Sequence, residues 1–487
     1  MMFMNELARM RIELEQLKEK ERDLHEKLSC VRLDIEAHKS RIEHLAWAQT
    51  PINYLPSEIL SYAFELAISP ESSFDDSRMC PLALARVSRG WRHIILNTPQ
   101  FWRYIDLNSR TNVSLVRAHV ERSLEYPLDI AIKFLETTAR LSTFIDVLLP
   151  HAHRWRTLEI YDGGQCLQFI LRRINKLKFP SLAFTTIHTL SERKMRYPTF
   201  LLPENSPSLK SLDLNNVIPM EKFLPGQMVT DLSLQFSEHP LGPLTLPSLL
   251  SSQYLTELNL VYSACPPLQP DSIVLPFLTS LTLEGNHPRE LISAIVAPRL
   301  SYFCLTAAGI PEGQLSTLFC GIESKFLSVQ RLGFFVFKSG VDCCRSVASV
   351  FPNVRHVELH TEGLDDFFRM NKGGPCPADH WRALESLTFR GIKICCRSST
   401  ENLVQWLCQW NLASRPMLRV KFIECTFHST NHQESDISNP KALSDFHDVI
   451  RRMCILEMVN VVFQAIAFMS LTSAPPPPLV CNPVLWY

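Results

Sequence analysis

Residues 255–285 read LTELNLVYSACPPLQPDSIVLPFLTSLTLEG, and this stretch decides the fold. Leu255, Leu258 and Leu260 form an apolar-x-x-apolar-x-apolar unit, and Leu278, Leu281 and Leu283 form it again. Within each unit the chain alternates apolar and polar, the pattern of a strand with one buried face. Working outward, the unit recurs as Trp155/Leu158/Ile160, Leu209/Leu212/Leu214, Val229/Leu232/Leu234, Leu300/Phe303/Leu305, Val329/Leu332/Phe334, Val354/Val357/Leu359 and Leu384/Leu387/Phe389. Looser copies fall at Leu182/Thr185/Ile187, Met417/Val420/Phe422 and Met458/Val461/Phe463. Seven steps from Leu212 to Leu387 cover 175 residues, 25 on average.

That period lies in the range of about 20–29 residues that marks leucine-rich repeats, each one a strand and a return segment. An irregular solenoid with a parallel sheet is the expectation, because the pitch varies and the consensus asparagine after the third apolar position occurs at Asn286 but in few other copies. Positions four and six of each unit would be buried. The alternating positions would face solvent: Asp213, Asn215, Ser233, Gln235, Asn259, Thr282, Glu284, Thr306, Glu358, His360, Thr388 and Arg390. Of these, Asp213, Asn215, Gln235, Asn259, Glu284, Glu358, His360 and Arg390 are the candidates for contact with a target protein. The competing reading is that they are solvated strand residues and no more.

The N-terminal segment 5–49 has a different period. Steps of three and four from Leu7 visit Leu7, Met10, Leu14, Leu17, Glu21, Leu24, Leu28, Val31, Ile35, His38, Ile42 and Leu45, ten of the twelve apolar. This is the heptad seam of a coiled coil, and it predicts self-association through residues 5–49. The alternative is one amphipathic helix packed on its own body. Glu21 and His38 weaken the seam and bear on register and oligomeric state. Thr50-Pro51 ends the helix, since proline supplies no donor and restrains the residue before it.

Residues 52–107 read as a small helical bundle. Pro56, Ser57 and Glu58 open a first helix with Ile59, Leu60, Ala63, Phe64 and Ala67 on one apolar face. A polar stretch interrupts, and Leu82–Leu96 reads as a second helix with Leu84, Val87, Trp91, Ile94 and Ile95 inward. The order Leu55-Pro56-x-Glu58-Ile59-Leu60, then Pro81-Leu82, Val87-Ser88-Arg89-Gly90-Trp91-Arg92 and Thr98-Pro99-x-x-Trp102 resembles an F-box. The resemblance covers about a tenth of the chain. It departs from the compact pattern in the Ser69–Cys80 insertion, which a polar surface loop tolerates at little entropic cost. The resemblance implies docking on the Skp adaptor of a cullin–RING ubiquitin ligase. It makes Leu55, Pro56, Ile59, Leu60, Val87, Ser88 and Trp91 the candidate adaptor-binding residues. An N-terminal coiled coil ahead of an F-box and repeats is similar to an arrangement common among mushroom-forming fungi.

The rest of the chain adds exclusions. Lys+Arg 49 balances Asp+Glu 49, so no global field draws nucleic acid or anionic lipid. Fifteen cysteines without a CxxC give neither a zinc module nor a disulfide framework, and the N-terminus lacks a signal-peptide core. A cytoplasmic or nuclear protein is the expectation. No GxxxxGK[ST], GxGxxG or GxSxG occurs, so neither a phosphate loop nor a hydrolase elbow can be placed. His151 and His153 lack the spacing of a helical zinc site. Cys376 and His380 lie close in sequence and are the one candidate for a nucleophile–base pair. No cofactor, metal or catalytic residue is assigned. The uncharged segment 458–474 is short for a membrane span and reads as a terminal repeat, and Pro475–Pro478 reads as polyproline II.

The expected class is α/β: a coiled-coil helix (1–50), a small all-α F-box-like domain (51–107), a connector (108–154), a leucine-rich-repeat solenoid (155–474) and a Pro-rich tail (475–487). The expected function is a non-enzymatic substrate-recognition subunit of a Skp–cullin–F-box ubiquitin ligase, with the repeats binding a target protein. The alternative is a non-ligase interaction scaffold built from the coiled coil and the solenoid.

Overall fold

The computed structural model describes residues 2–49, 51–68, 81–133, 137–162, 166–189, 198–217, 229–236, 254–263, 267–306, 317–336, 341–361, 364–369, 375–395, 398–413, 415–429, 449–459 and 461–465. The 69–80 insertion, most of the polar stretch 428–440 that the sequence suggests is a surface loop, most of the terminal apolar segment and the Pro-rich tail lie outside the described residues. The chain divides into two compact units, 1–105 with 112–128, and 106–111 with 129–487.

In the first unit, α1 (Met2–Gln49) runs unbroken to the proline predicted to end it, and a 3-10 turn, Pro51–Tyr54, follows. The bundle consists of α2 (Ser57–Ile68), α3 (Pro81–Leu84), α4 (Arg89–Asn97), a 3-10 turn at Pro99–Trp102, and α5 (Val113–Arg122). The single helix expected over Leu82–Leu96 is two helices. Ser88 sits between them in extended backbone, and its hydroxyl accepts from the Trp91 N–H, so it starts α4 rather than lying inside it. Leu60, Phe64, Ile68, Leu84, Ala85, Ile95, Phe101 and Trp102 make the core. The Trp102 indole donates to the Ile95 carbonyl at 2.9 Å, which satisfies the one polar atom of a fully buried side chain.

The second unit is a repeat sheet. Its remaining helices are α6 (Thr138–Leu148), α7 (Cys166–Ile174), α8 (Pro288–Ala294), α9 (Val341–Val350), α10 (Leu364–Phe368) and α11 (Ser398–Leu412). In chain order the strands begin with β1 (Tyr104–Leu107), β2 (Leu128–Lys133), β3 (Trp155–Asp162), β4 (Phe184–Thr189), β5 (Ser211–Asn215), β6 (Asp231–Phe236) and β7 (Glu257–Tyr262). Next come β8 (Ile273–Val274), β9 (Ser280–Gly285), β10 (Ile295–Val296), β11 (Tyr302–Thr306), β12 (Arg331–Val336), β13 (His356–Thr361) and β14 (Ser386–Arg390). The last are β15 (Lys393–Cys395), β16 (Arg419–Ile423), β17 (Thr426–Ser429), β18 (Ile455–Val459) and β19 (Val462–Ala465).

Fourteen strands form one sheet in which every neighbour is also the next strand along the chain, apart from the short pair β8–β10 and the separate sheet β15–β17–β19. From β3 to β18 each step is parallel and in one register, so Leu158, Thr185, Leu212, Leu232, Leu258, Leu281, Phe303, Leu332, Val357, Leu387, Val420 and Leu456 form a single row. The sheet is therefore a ladder of repeats in which contacts run mainly between neighbours. Segment 108–154, expected as a connector, supplies β2 and α6. Two repeat positions shift. Leu418, not Met417, is buried ahead of β16, and the final repeat is Leu456/Met458 rather than Met458/Val461/Phe463, with Val462–Ala465 belonging to the separate sheet.

Left-handed residues turn the chain out of the main sheet. Asn216 (φ 57°), Gly391 (φ 62°) and Glu424 (φ 55°) each follow a strand, and their N–H groups donate to Gln235, Ile423 and Val459 carbonyls of the next strand at 2.8–2.9 Å. After Gly391 and Glu424 the chain enters β15 and β17. Glycine takes this conformation freely, whereas a glutamate is strained by about 1–2 kcal/mol. Glu424→Gly is therefore expected to raise the free energy of unfolding by about 0.5–1 kcal/mol in a denaturant titration. Gly391→Ala is expected to lower it, since its Cβ would also meet His360 Nε2 at 2.8 Å.

Candidate interaction surfaces

The first surface lies on the helical unit. Leu60 is 6% exposed and Ile59 51%. The apolar face expected to run through both is thus two faces: Leu60, Phe64 and Ile68 point inward, while Ile59, Tyr62 and Leu66 point out. The reason is the 3.6-residue period, which places i, i+4 and i+8 on one side and the flanking i−1, i+2 and i+6 on another. Leu55, Pro56 and Val87 are also exposed; Val87 was expected inward, but the turn ahead of Ser88 carries it out. Trp91 packs its ring against Phe64 at 4.6 Å and stays only partly buried.

Of the seven predicted adaptor-binding residues, Leu55, Pro56, Ile59 and Val87 are therefore on the surface, and Trp91 is shared between surface and core. Leu60 is core and Ser88 is a helix cap. Sequence reasoning missed Tyr62 and Leu66. Their signal was present, because a twelve-residue helix with apolar side chains on both faces has more apolar surface than one core uses.

The second surface is the polar face of the repeat sheet. The register places Asp213, Ser233, Asn259, Thr282, Glu358, Thr388 and Lys421 in one row, and Asn215, Gln235, Glu284, Thr306, His360 and Arg390 in the next. Neighbouring strands tie these residues together. Asn215 donates to Gln235 at 2.9 Å, Asn259 to the Ser233 hydroxyl at 3.3 Å, and Arg390 to Glu358 at 2.8 Å. His188 Nε2 lies 2.9 Å from Asp213. His360 is exposed, meets the Phe335 ring edge at 5.2 Å and covers Gly391.

Charge is unevenly spread along this face. The outward strand positions from β3 to β9 hold Glu159, Asp213, Asp231, Glu257 and Glu284 and no lysine or arginine. From β12 to β18 they hold Arg331, Arg390, Arg419 and Lys421 with Glu358 and Glu457. There the charges pair: Arg419 and Lys421 reach Glu457 at 3.6 and 3.4 Å. A hollow of about 350 Å³ opens among Ser386, Thr388, Arg419, Lys421 and Glu457.

The thiol candidate has a structural role. Cys376 is buried, its Sγ donates to the Phe367 carbonyl at 3.0 Å, and burial pushes the thiol up to about 12. A thiol so held is not a thiolate at neutral pH, so the Cys376–His380 sequence does not present an activated nucleophile. Burial likewise pushes Cys304 and Cys454 up to about 11. Among the described residues no group of three or more His, Cys, Asp or Glu side chains could hold a metal ion, and no helix is long and apolar enough to cross a membrane.

No family model matches the chain, and no curated protein matches it. The functional reading therefore rests on these surfaces and on the residues that form them.

Proposed function

We propose that the chain is the substrate-recognition subunit of a Skp–cullin–F-box ubiquitin ligase, with an F-box-like unit that docks the Skp adaptor and leucine-rich repeats that hold a target protein. The observation that carries the reading is the second apolar face of α2. Ile59, Tyr62 and Leu66 remain exposed although the core beneath them already holds Leu60, Phe64, Ile68 and Trp102. Exposed apolar surface beside a packed core is the kind of surface that another protein covers. The polar, laddered face of the sheet fits a target-binding role, since a rigid strand array holds many hydrogen-bonding groups in fixed positions.

In this function the chain performs no bond chemistry. It raises the concentration of target lysines near the ubiquitin-charged enzyme by tethering both in one assembly through the adaptor and its cullin. The test is a pulldown of the full chain with purified Skp adaptor. Ile59→Asp is expected to weaken binding by more than tenfold while the far-ultraviolet circular dichroism spectrum stays unchanged, since the side chain is on the surface. Equal binding by the variant would remove α2 from the interface. No binding by the folded wild-type chain would leave the non-ligase scaffold.

A further inference from the structure

Among the described residues, nothing covers the stripe of α1. Leu7, Met10, Leu14, Leu17, Leu24, Leu28, Val31, Ile35, Ile42 and Leu45 are all exposed, between 46% and 66%. The polar links that α1 makes to the rest of its unit include Arg89 with Ser40 at 3.3 Å, which leaves the seam untouched. A helix of 48 residues, about 72 Å long at 1.5 Å per residue, thus presents to solvent an apolar seam interrupted only at Glu21 and His38. Most of the stability of such a helix comes from burying that seam.

We propose that the seam is covered by a second copy of this chain, in a parallel and in-register two-stranded coiled coil. The flanking charges decide the direction. Counting the seam from Leu7 as position a, the e positions are Arg11, Lys18, His25, Arg32, Lys39 and Ala46, five of the six basic. An antiparallel pair sets e against e in every register, so it would line cations against cations. A parallel pair sets g against the e position five residues on. That matches Glu6 with Arg11, Glu13 with Lys18, and Asp34 with Lys39, against Lys27 with Arg32 and Lys20 with His25, and leaves Arg41 facing Ala46. Lys18 and Lys39 now pair with Glu15 and Glu36 of their own helix, at 2.9 and 3.0 Å, but these bridges are exposed and cost little to exchange.

The two polar seam residues fix the register. In register, Glu21 at a faces its own copy and His38 at d faces its own copy, which keeps the polar groups together at a cost in stability from the two facing carboxylates. A shift of one heptad would set Glu21 against Leu28 and His38 against Leu45, burying each polar group against an apolar one. Ile35 and Ile42 at a, with mostly leucine at d, suit two strands.

This inference does not depend on adaptor docking and is tested apart from it. Sedimentation of the full chain is expected to give a dimer of 55.8 kDa protomers, and deletion of residues 2–49 a monomer. Arg11→Glu is expected to weaken the dimer roughly tenfold, because two symmetric attractions become repulsions, and adding Glu6→Arg is expected to restore it. Helicity at 222 nm at saturating concentration checks that the variant helix still forms. A monomeric wild-type chain, a trimer or tetramer, or a dimer tightened by Arg11→Glu would each overturn the proposal; the last is what an antiparallel pair requires.

Discussion

Leu60→Asp is expected to unfold the helical unit and leave the repeat sheet standing. Leu60 packs in one cluster with Phe64, Leu84 and Trp102 among the described residues of a small helical unit, which has little reserve. Removing the leucine costs about 2–5 kcal/mol by lost burial and cavity alone. An aspartate there adds a carboxylate that must be desolvated or protonated. The sum matches or exceeds the whole stability of a domain this small, on the order of 5 kcal/mol. Thermal unfolding followed by tryptophan fluorescence is expected to lose the early transition reporting Trp91 and Trp102, while strand circular dichroism persists. A failure of this variant to bind purified Skp adaptor would then follow from unfolding, so Ile59→Asp is the variant that tests the proposed interface. A normal melt would show that Leu60 is not core.

Phe351→Ala carries the other large effect, in the middle of the repeat sheet. The ring is fully buried and meets Phe326 at 5.0 Å, Phe319 at 5.4 Å and Phe303 at 5.5 Å, the last stacked with an interplanar angle of 20°. These rings come from successive returns and one strand, so together they weld neighbouring repeats. Truncation is expected to cost about 3–5 kcal/mol, with each lost aromatic pair contributing about 0.5–1.5 kcal/mol beyond its burial. A denaturant titration is expected to show the midpoint falling by that margin. A shift below about 1 kcal/mol would mean that the cluster collapses into the space and is not tightly packed.

The repeats were legible because a half-buried strand writes its burial into alternate residues, and the register reproduces the row Leu212, Leu232, Leu258 and Leu281 without a slip. Legibility failed where two apolar residues are adjacent. Ile59 and Leu60, or Met417 and Leu418, cannot be sorted by hydrophobicity, since only the packed neighbours decide which one is inside. It failed again at Ser88, where a cap that breaks a helix looks like one more polar residue on its surface. The separate sheet β15–β17–β19 was missed because it depends on left-handed corners at Gly391 and Glu424, and a glutamate gives no warning of positive φ. Of the candidate surfaces, the polar ladder followed directly from the period. The outward face of α2 did not, because it required knowing that the core was already full.

The uneven charge on the sheet face has a kinetic meaning. Five carboxylates near one end, and four cations against two carboxylates near the other, give the face a directional field. A charged partner approaching it experiences a torque as well as an attraction and is turned before first contact. At physiological ionic strength the screening length is about 8 Å, less than two strand spacings of about 4.8 Å. The turning therefore takes place in the last few ångströms of approach, and raising the salt would slow encounter while leaving an already seated complex nearly as long-lived.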